Sequence, residues 1–134
     1  NSEPIRCRVA ACCEALDDGK EWSFYLINDC NVPLDLVVLY AIGYEWGGSG
    51  NSQAVDVRIT GLAPGAYTLI WRGDGCGAEL RMELSLRVRV RGREVRLQFE
   101  FPKLYLKSIL QLVDGLDKPG WQVAAEGQEG GRIL

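Results

Sequence analysis

The sequence predicts an all-β protein, an antiparallel β-sandwich of about seven to eight strands. Three observations carry this expectation. Apolar and polar residues alternate with a period of two through most of the chain, as in strands with one buried face. Turn signals rich in Gly, Pro, Asn and Asp separate those runs at a spacing of roughly ten residues. No stretch up to Phe101 carries the 3.6-residue period of an amphipathic helix.

Taken in order, Ile5, Cys7, Val9, Ala11 and Cys13 alternate with Arg6, Arg8 and Glu14, giving a first strand that ends at the turn Asp17-Asp18-Gly19-Lys20. EWSFYLIND follows with Trp22, Phe24 and Leu26 on one face, and Asp29-Cys30-Asn31-Val32-Pro33 breaks it. Leu34 to Trp46 is apolar on both faces for most of its length, which predicts a central strand covered on both sides. GGSGNSQ, residues 47 to 53, has the composition of a mobile loop; AVDVRIT then restores alternation with Val55, Val57 and Ile59 inward. Gly61-Leu62-Ala63-Pro64-Gly65 makes a tight turn into AYTLIWR, and GDGCG closes that strand.

Residues 80 to 101, LRMELSLRVRVRGREVRLQFEF, form the clearest element. Met82, Leu84, Leu86, Val88 and Val90 are apolar on one side of Gly92, and Val95, Leu97, Phe99 and Phe101 on the other, so the two runs predict a β-hairpin turning at that glycine. Beyond it, Leu104, Leu106, Leu110 and Leu112 share parity, which favours a strand over a short helix begun at Pro102. The sandwich is expected to span residues 1–120. Residues 121–134, rich in Gly, Glu and Gln, read as a C-terminal tail docked on this domain or on a neighbouring copy.

Composition bounds the function. With 134 residues, 47% hydrophobic and 25% charged, the chain can bury roughly two thirds of its unfolded surface, which excludes disordered, collagen-like and coiled-coil classes. No apolar run approaches the ~18–20 residues of a membrane span, so no membrane partner is expected. Five cysteines at irregular spacing, with Cys12-Cys13 the only close pair, predict free buried thiols rather than a zinc site or a disulfide framework. A cytoplasmic location follows from that cysteine usage, although a chain whose export signal had been removed would read the same.

The absence of histidine removes Ser-His-Asp and Cys-His nucleophile activation and most catalytic zinc chemistry. Asp17, Asp18, Asp35, Glu45, Asp56 and Asp74 are scattered over turns and strand exteriors as solvated acids. The Gly-rich segments at 47–50 and 73–77 follow neither GxxxxGK[ST] nor GxGxxG. A non-catalytic protein without a cofactor is expected.

Two groups of residues are candidate sites. Arg81, Arg87, Arg89, Arg91, Arg93 and Arg96 lie within the hairpin, which has no lysine, in a chain of formal net charge -3. A solvated strand face would be charged too, and Arg/Glu cross-strand pairs stabilise a hairpin. Arginine alone, however, favours planar, bidentate recognition of carboxylate or phosphate. The expected role is therefore a contact face for an acidic protein partner, another copy of this chain included. Tyr44, Trp46 and Trp121 are the second group: aromatic faces of this kind bind sugars, so a carbohydrate-binding module is the alternative. Trp22 and Trp71 are in phase with apolar neighbours and belong to the core. Nucleic acid is the third and least favoured ligand, because no exposed aromatics interleave with the arginines.

The turn GLAPGAYTL is similar to the loop-to-strand turn of immunoglobulin-like and fibronectin type III-like sandwiches, which implies an immunoglobulin-like fold. FYLINDCNVPLDLVVLY, residues 24–40, with FEFPKLYLKS, residues 99–108, resembles the β-sandwich domain that accompanies Smr domains in some bacterial MutS2-like proteins. That resemblance implies a cytoplasmic accessory domain acting by protein interaction. The His-containing motif of the Smr domain has no counterpart here, so no catalytic residue carries over.

Overall fold

In the computed structural model, which describes residues 4–14, 21–46, 49–73, 81–101 and 111–127, nine strands form two antiparallel sheets. They are β1 (Ile5–Glu14), β2 (Glu21–Asn28), β3 (Leu34–Trp46), β4 (Ser49–Leu62), β5 (Tyr67–Gly73), β6 (Arg81–Val90), β7 (Arg93–Phe101), β8 (Gln111–Leu112) and β9 (Pro119–Gly127). One sheet has the order β5-β2-β1-β9-β8 and the other β4-β3-β6-β7. The alternating pattern thus builds the predicted sandwich, with nine strands among the described residues instead of seven to eight.

The inward faces meet in one core. Ile5, Cys7, Val9 and Ala11 of β1 and Trp22, Phe24 and Leu26 of β2 pack against Val37, Leu39 and Ile42 of β3 and the whole apolar register of β6 and β7. Phe24 and Phe101 join the two sheets edge to face, with ring centroids 5.4 Å apart. Val55, Val57 and Ile59 are half-buried against this core, and Trp71 joins them from β5.

The β6–β7 turn is tighter than the sequence implied. Val90 pairs with Arg93, leaving Arg91 (φ 52°) and Gly92 (φ 78°) as the two central residues, both in the left-handed region that a type I′ hairpin requires. Asp35 accepts a hydrogen bond from the Arg91 backbone N–H at 2.8 Å and so ties the turn to β3.

At the same end of the molecule the chain crosses twice between sheets, from β2 to β3 and from β4 to β5, and Asn28 holds both crossings. It is fully buried. Its Nδ2 donates to the carbonyls of Val32 (2.9 Å) and Leu62 (3.1 Å), while its Oδ1 accepts from the Cys30 N–H at 2.8 Å. Its backbone N–H donates to Ala66 O and its carbonyl accepts from the Gly65 N–H. Every polar group of this residue therefore has a partner, as burial demands.

Four expectations need correction. Residues 49–53 are not loop: β4 begins at Ser49, and Trp46 pairs with it across the turn. Residues 121–127 are not tail, because β9 pairs with β1 from Ile5↔Gly127 to Ala11↔Trp121, supplying the hydrogen bonds that a bare β1 edge would lack. Gly120 is buried in that same strand, so the sandwich runs past residue 120. β3 is central but its outer face has no covering layer among the described residues; Val38, in register between Arg58 and Arg87, is nonetheless only 5% exposed. The covered outer face belongs instead to the other sheet, where Ala10, Cys12, Tyr25 and Ile27 pack beneath Val113 and Leu116. The turn at 17–20, the glycine run at 74–77, the segment 102–110 and residues 128–134 lie outside the described residues.

A candidate interaction surface on the four-stranded sheet

Cross-strand register sorts the hairpin arginines into three kinds. Arg81 donates to Glu100 at 2.7 Å and Arg89 to Glu94 at 3.1 Å, so these two are neutralised within the hairpin. The Arg81 guanidinium, by its hydrogen bond, holds the Glu100 carboxyl below the usual carboxylate range. Both pairs are half-exposed and worth little to stability.

Arg87 and Arg96 are different: they stand directly opposite each other on β6 and β7, both exposed. Like charges at that spacing repel. The row continues through Val38 to Arg58 on β4, whose guanidinium reaches Asp56 at 2.9 Å with both side chains about two-thirds exposed. Arg87 also lies over the Tyr40 ring, 5.7 Å from its centroid. Between the arginines is a shallow depression of about 200 Å³ lined by Leu36, Val38, Arg58, Arg87, Arg89 and Glu94. Of the three guanidinium groups at its rim, those of Arg58 and Arg89 are paired with Asp56 and Glu94, which leaves Arg87 as the rim arginine set against another arginine.

Arg91 and Arg93 form the third kind. They sit at the hairpin turn, at the end of the sandwich, and line a separate cleft with Arg6. The six arginines are therefore not one ribbon but a sheet-face row, two internal ion pairs and an end group.

The aromatic candidates are dispersed. Tyr44 on β3 and Trp121 on β9 are half-buried against the core from opposite sheets, so these two do not make a shared exposed platform. The Trp46 backbone closes the β3–β4 hairpin; its side chain lies outside the described residues. Among the described residues no group of three or more His, Cys, Asp and Glu side chains is placed to hold a metal ion.

Arg58, Val38 and Tyr40 belong to this surface and are missing from the sequence reading. Their contribution depends on β4 and β3 pairing in the observed register, with a bulge between Leu39 and Ala41, and no local pattern encodes that register.

Cys7, Cys12 and Cys30 carry free thiols. Burial pushes the Cys7 thiol well above its ordinary value of 9.0, and the Cys30 and Asp29 charges push it further the same way. The folded protein thus keeps a proton that the unfolded chain releases, so stability present below about pH 9 declines as pH rises beyond it. Iodoacetamide at pH 9 is expected to modify Cys30 in the native protein while Cys7 and Cys12 react only in urea. Modification of Cys7 without denaturant would contradict its burial at 1% exposure.

Comparison of the chain with protein-family models, with curated proteins and with solved structures finds no match.

Proposed function

We propose that this chain is a non-catalytic interaction domain which binds an acidic protein surface through the row Arg58, Arg87 and Arg96 on the outer face of the four-stranded sheet. The observation that carries the reading is the opposed Arg87–Arg96 pair. Like charges directly across a ladder cost a hairpin a few tenths of a kcal/mol to about 1 kcal/mol. A partner carboxylate placed between them converts that repulsion into two charge-assisted hydrogen bonds. The chain's own acidic remainder, in a molecule of formal net charge -3, makes a second copy the first partner to test. An accessory role in the cytoplasm, as the resemblance to the sandwich accompanying Smr domains implies, agrees with this reading.

Arg96→Glu separates function from fold. It replaces the repulsive pair by an attractive one, so Tm is expected to stay level or rise, by about 0.5 kcal/mol in stability. The same change is expected to weaken association at least tenfold. Sedimentation of the wild-type chain at low and high salt should find an oligomer that dissociates as salt rises, and the variant should be monomeric throughout. If the wild type is monomeric in low salt, a fluorescein-labelled glutamate-rich peptide tests for a different acidic partner. Peptide binding that is absent, or equal in wild type and Arg96→Glu, overturns the proposal.

A further inference from the structure

Among the described residues four strands lie at a sheet edge, β5 and β8 in one sheet and β4 and β7 in the other. An edge presents a row of backbone N–H and C=O groups that a further strand can pair with, and proteins discourage this by shortness, irregularity or charge. β8 has two residues. β5 loses its alternation at Ile70 and Trp71, adjacent residues that are buried and half-buried, where its register against β2 shifts. β7 turns Glu94, Arg96 and Glu100 outward, and its apolar row from Val95 to Phe101 is already buried, so a further strand would cover nothing apolar there.

β4 is the least defended of the four. It is 14 residues long and contains neither Lys nor Pro. Its register against β3 shifts between Leu39 and Ala41, yet exposure along β4 itself alternates without a break from Ala54 to Thr60. Val55, Val57 and Ile59 pack on the core but stay only half-buried, so apolar surface remains to be covered. Asp56 and Arg58 are its only charges, and they form an ion pair at 2.9 Å that leaves the edge neutral.

The sequence of β4 is also complementary to itself. With two antiparallel copies centred on Val57, that residue meets its equivalent, Val55 meets Ile59 and Asp56 meets Arg58, the last two pairs each occurring twice about a two-fold axis. Asp56 and Arg58 are about two-thirds exposed and their ion pair is worth little, so the Asp56 carboxylate can accept from the second copy's guanidinium as well. From this edge we infer that β4 pairs antiparallel with β4 of a second copy, joining two four-stranded sheets into one of eight strands. Ala54 to Thr60, seven residues, is well short of the roughly 20–30 residues a side of a standard interface, so the pairing belongs to the weak, reversible class. It goes beyond the arginine-row reading, whose Arg87 and Arg96 lie on β6 and β7, across β3 from this edge.

The test is made on Arg96→Glu, in which the sheet-face contact is removed, with chain concentrations raised to about 1 mM, well above those of sedimentation. Amide chemical shifts that grow with concentration and centre on Ala54 to Thr60 are expected. Adding Asp56→Arg or Arg58→Asp sets like charges opposite each other across the axis, so either should weaken the pairing at least fivefold. Both residues point into solvent, so these variants should fold. Asp56→Arg and Arg58→Asp together restore both opposed pairs at unchanged net charge, and this exchanged chain should pair as its parent does. Shifts that do not depend on concentration or that centre elsewhere, single variants that pair as well as the parent, or an exchanged chain that does not pair would each overturn the inference.

Discussion

Asn28→Ala is expected to lower the free energy of unfolding by about 3 kcal/mol or more, the largest single effect on this fold outside the aromatic core. The substitution removes three side-chain hydrogen bonds at once. It leaves the Leu62 carbonyl, the Val32 carbonyl and the Cys30 N–H to find other partners, and a buried group left unpaired costs about 1–3 kcal/mol. Both loops that carry the chain between the sheets lose their fastening together, so the loss should not be confined to one local opening. Urea unfolding is the measurement, with an unchanged m-value showing that compactness is preserved. Asn28→Asp supplies the control: it keeps the acceptor toward the Cys30 N–H but sets a carboxylate against two carbonyls, and it should be no better than alanine. A loss below about 1 kcal/mol in both variants would show that the crossings hold without Asn28.

Gly120→Ala is expected to cost about 2 kcal/mol, an effect of space rather than of backbone conformation. A Cβ at this position would lie 2.9 Å from the Cys12 Sγ, 3.1 Å from the Ala11 carbonyl oxygen and 3.1 Å from the Val113 Cγ2. The carbonyl belongs to the β1 ladder and cannot move without breaking its pairing with β9. The adjustment therefore falls on Cys12 and on the segment around Val113, and overpacking of this kind costs about 1–3 kcal/mol. Lifting that segment uncovers Cys12, so the variant should expose a thiol to iodoacetamide that the native protein hides. Cys12→Ala added to Gly120→Ala should recover part of the stability by removing the nearest contact. A Gly120→Ala protein with native stability and a protected Cys12 would mean that β9 shifts freely against β1.

The apolar register of strands β6 and β7 was legible residue by residue: the two-residue period placed Met82 to Val90 and Val95 to Phe101 inward, and all of them are buried. Trp22 could be assigned to the core for the same reason. The period fails where burial has another source. Val38 is buried between the neighbouring strands' Arg58 and Arg87 with no second layer described over it, and a continuous apolar run in β3 reads the same in both cases. Ala10 and Cys12, on the reverse face of β1, are buried by Val113 and Leu116, which arrive from about a hundred residues away in the chain. The glycine-rich start of β4 is a strand by backbone pairing. β9 does alternate, with Trp121, Val123 and Ala125 against the core and Gln122, Ala124 and Glu126 exposed, but small and polar residues make that period faint in the sequence.

The candidate surface divides in the same way. Composition and a period of two are local properties, so the arginine-rich hairpin, the outward direction of its arginines and the exclusion of histidine-dependent catalysis can all be read along the chain. Which residues each arginine faces depends on how the strands are paired. Register sets Arg81 and Arg89 beside glutamates, Arg87 against Arg96, and Arg58 across Val38 in the same row. It also carries Arg91 and Arg93 away to an end cleft with Arg6. Charge pairing falls off within a few ångströms, and those few ångströms are set by which strands lie side by side.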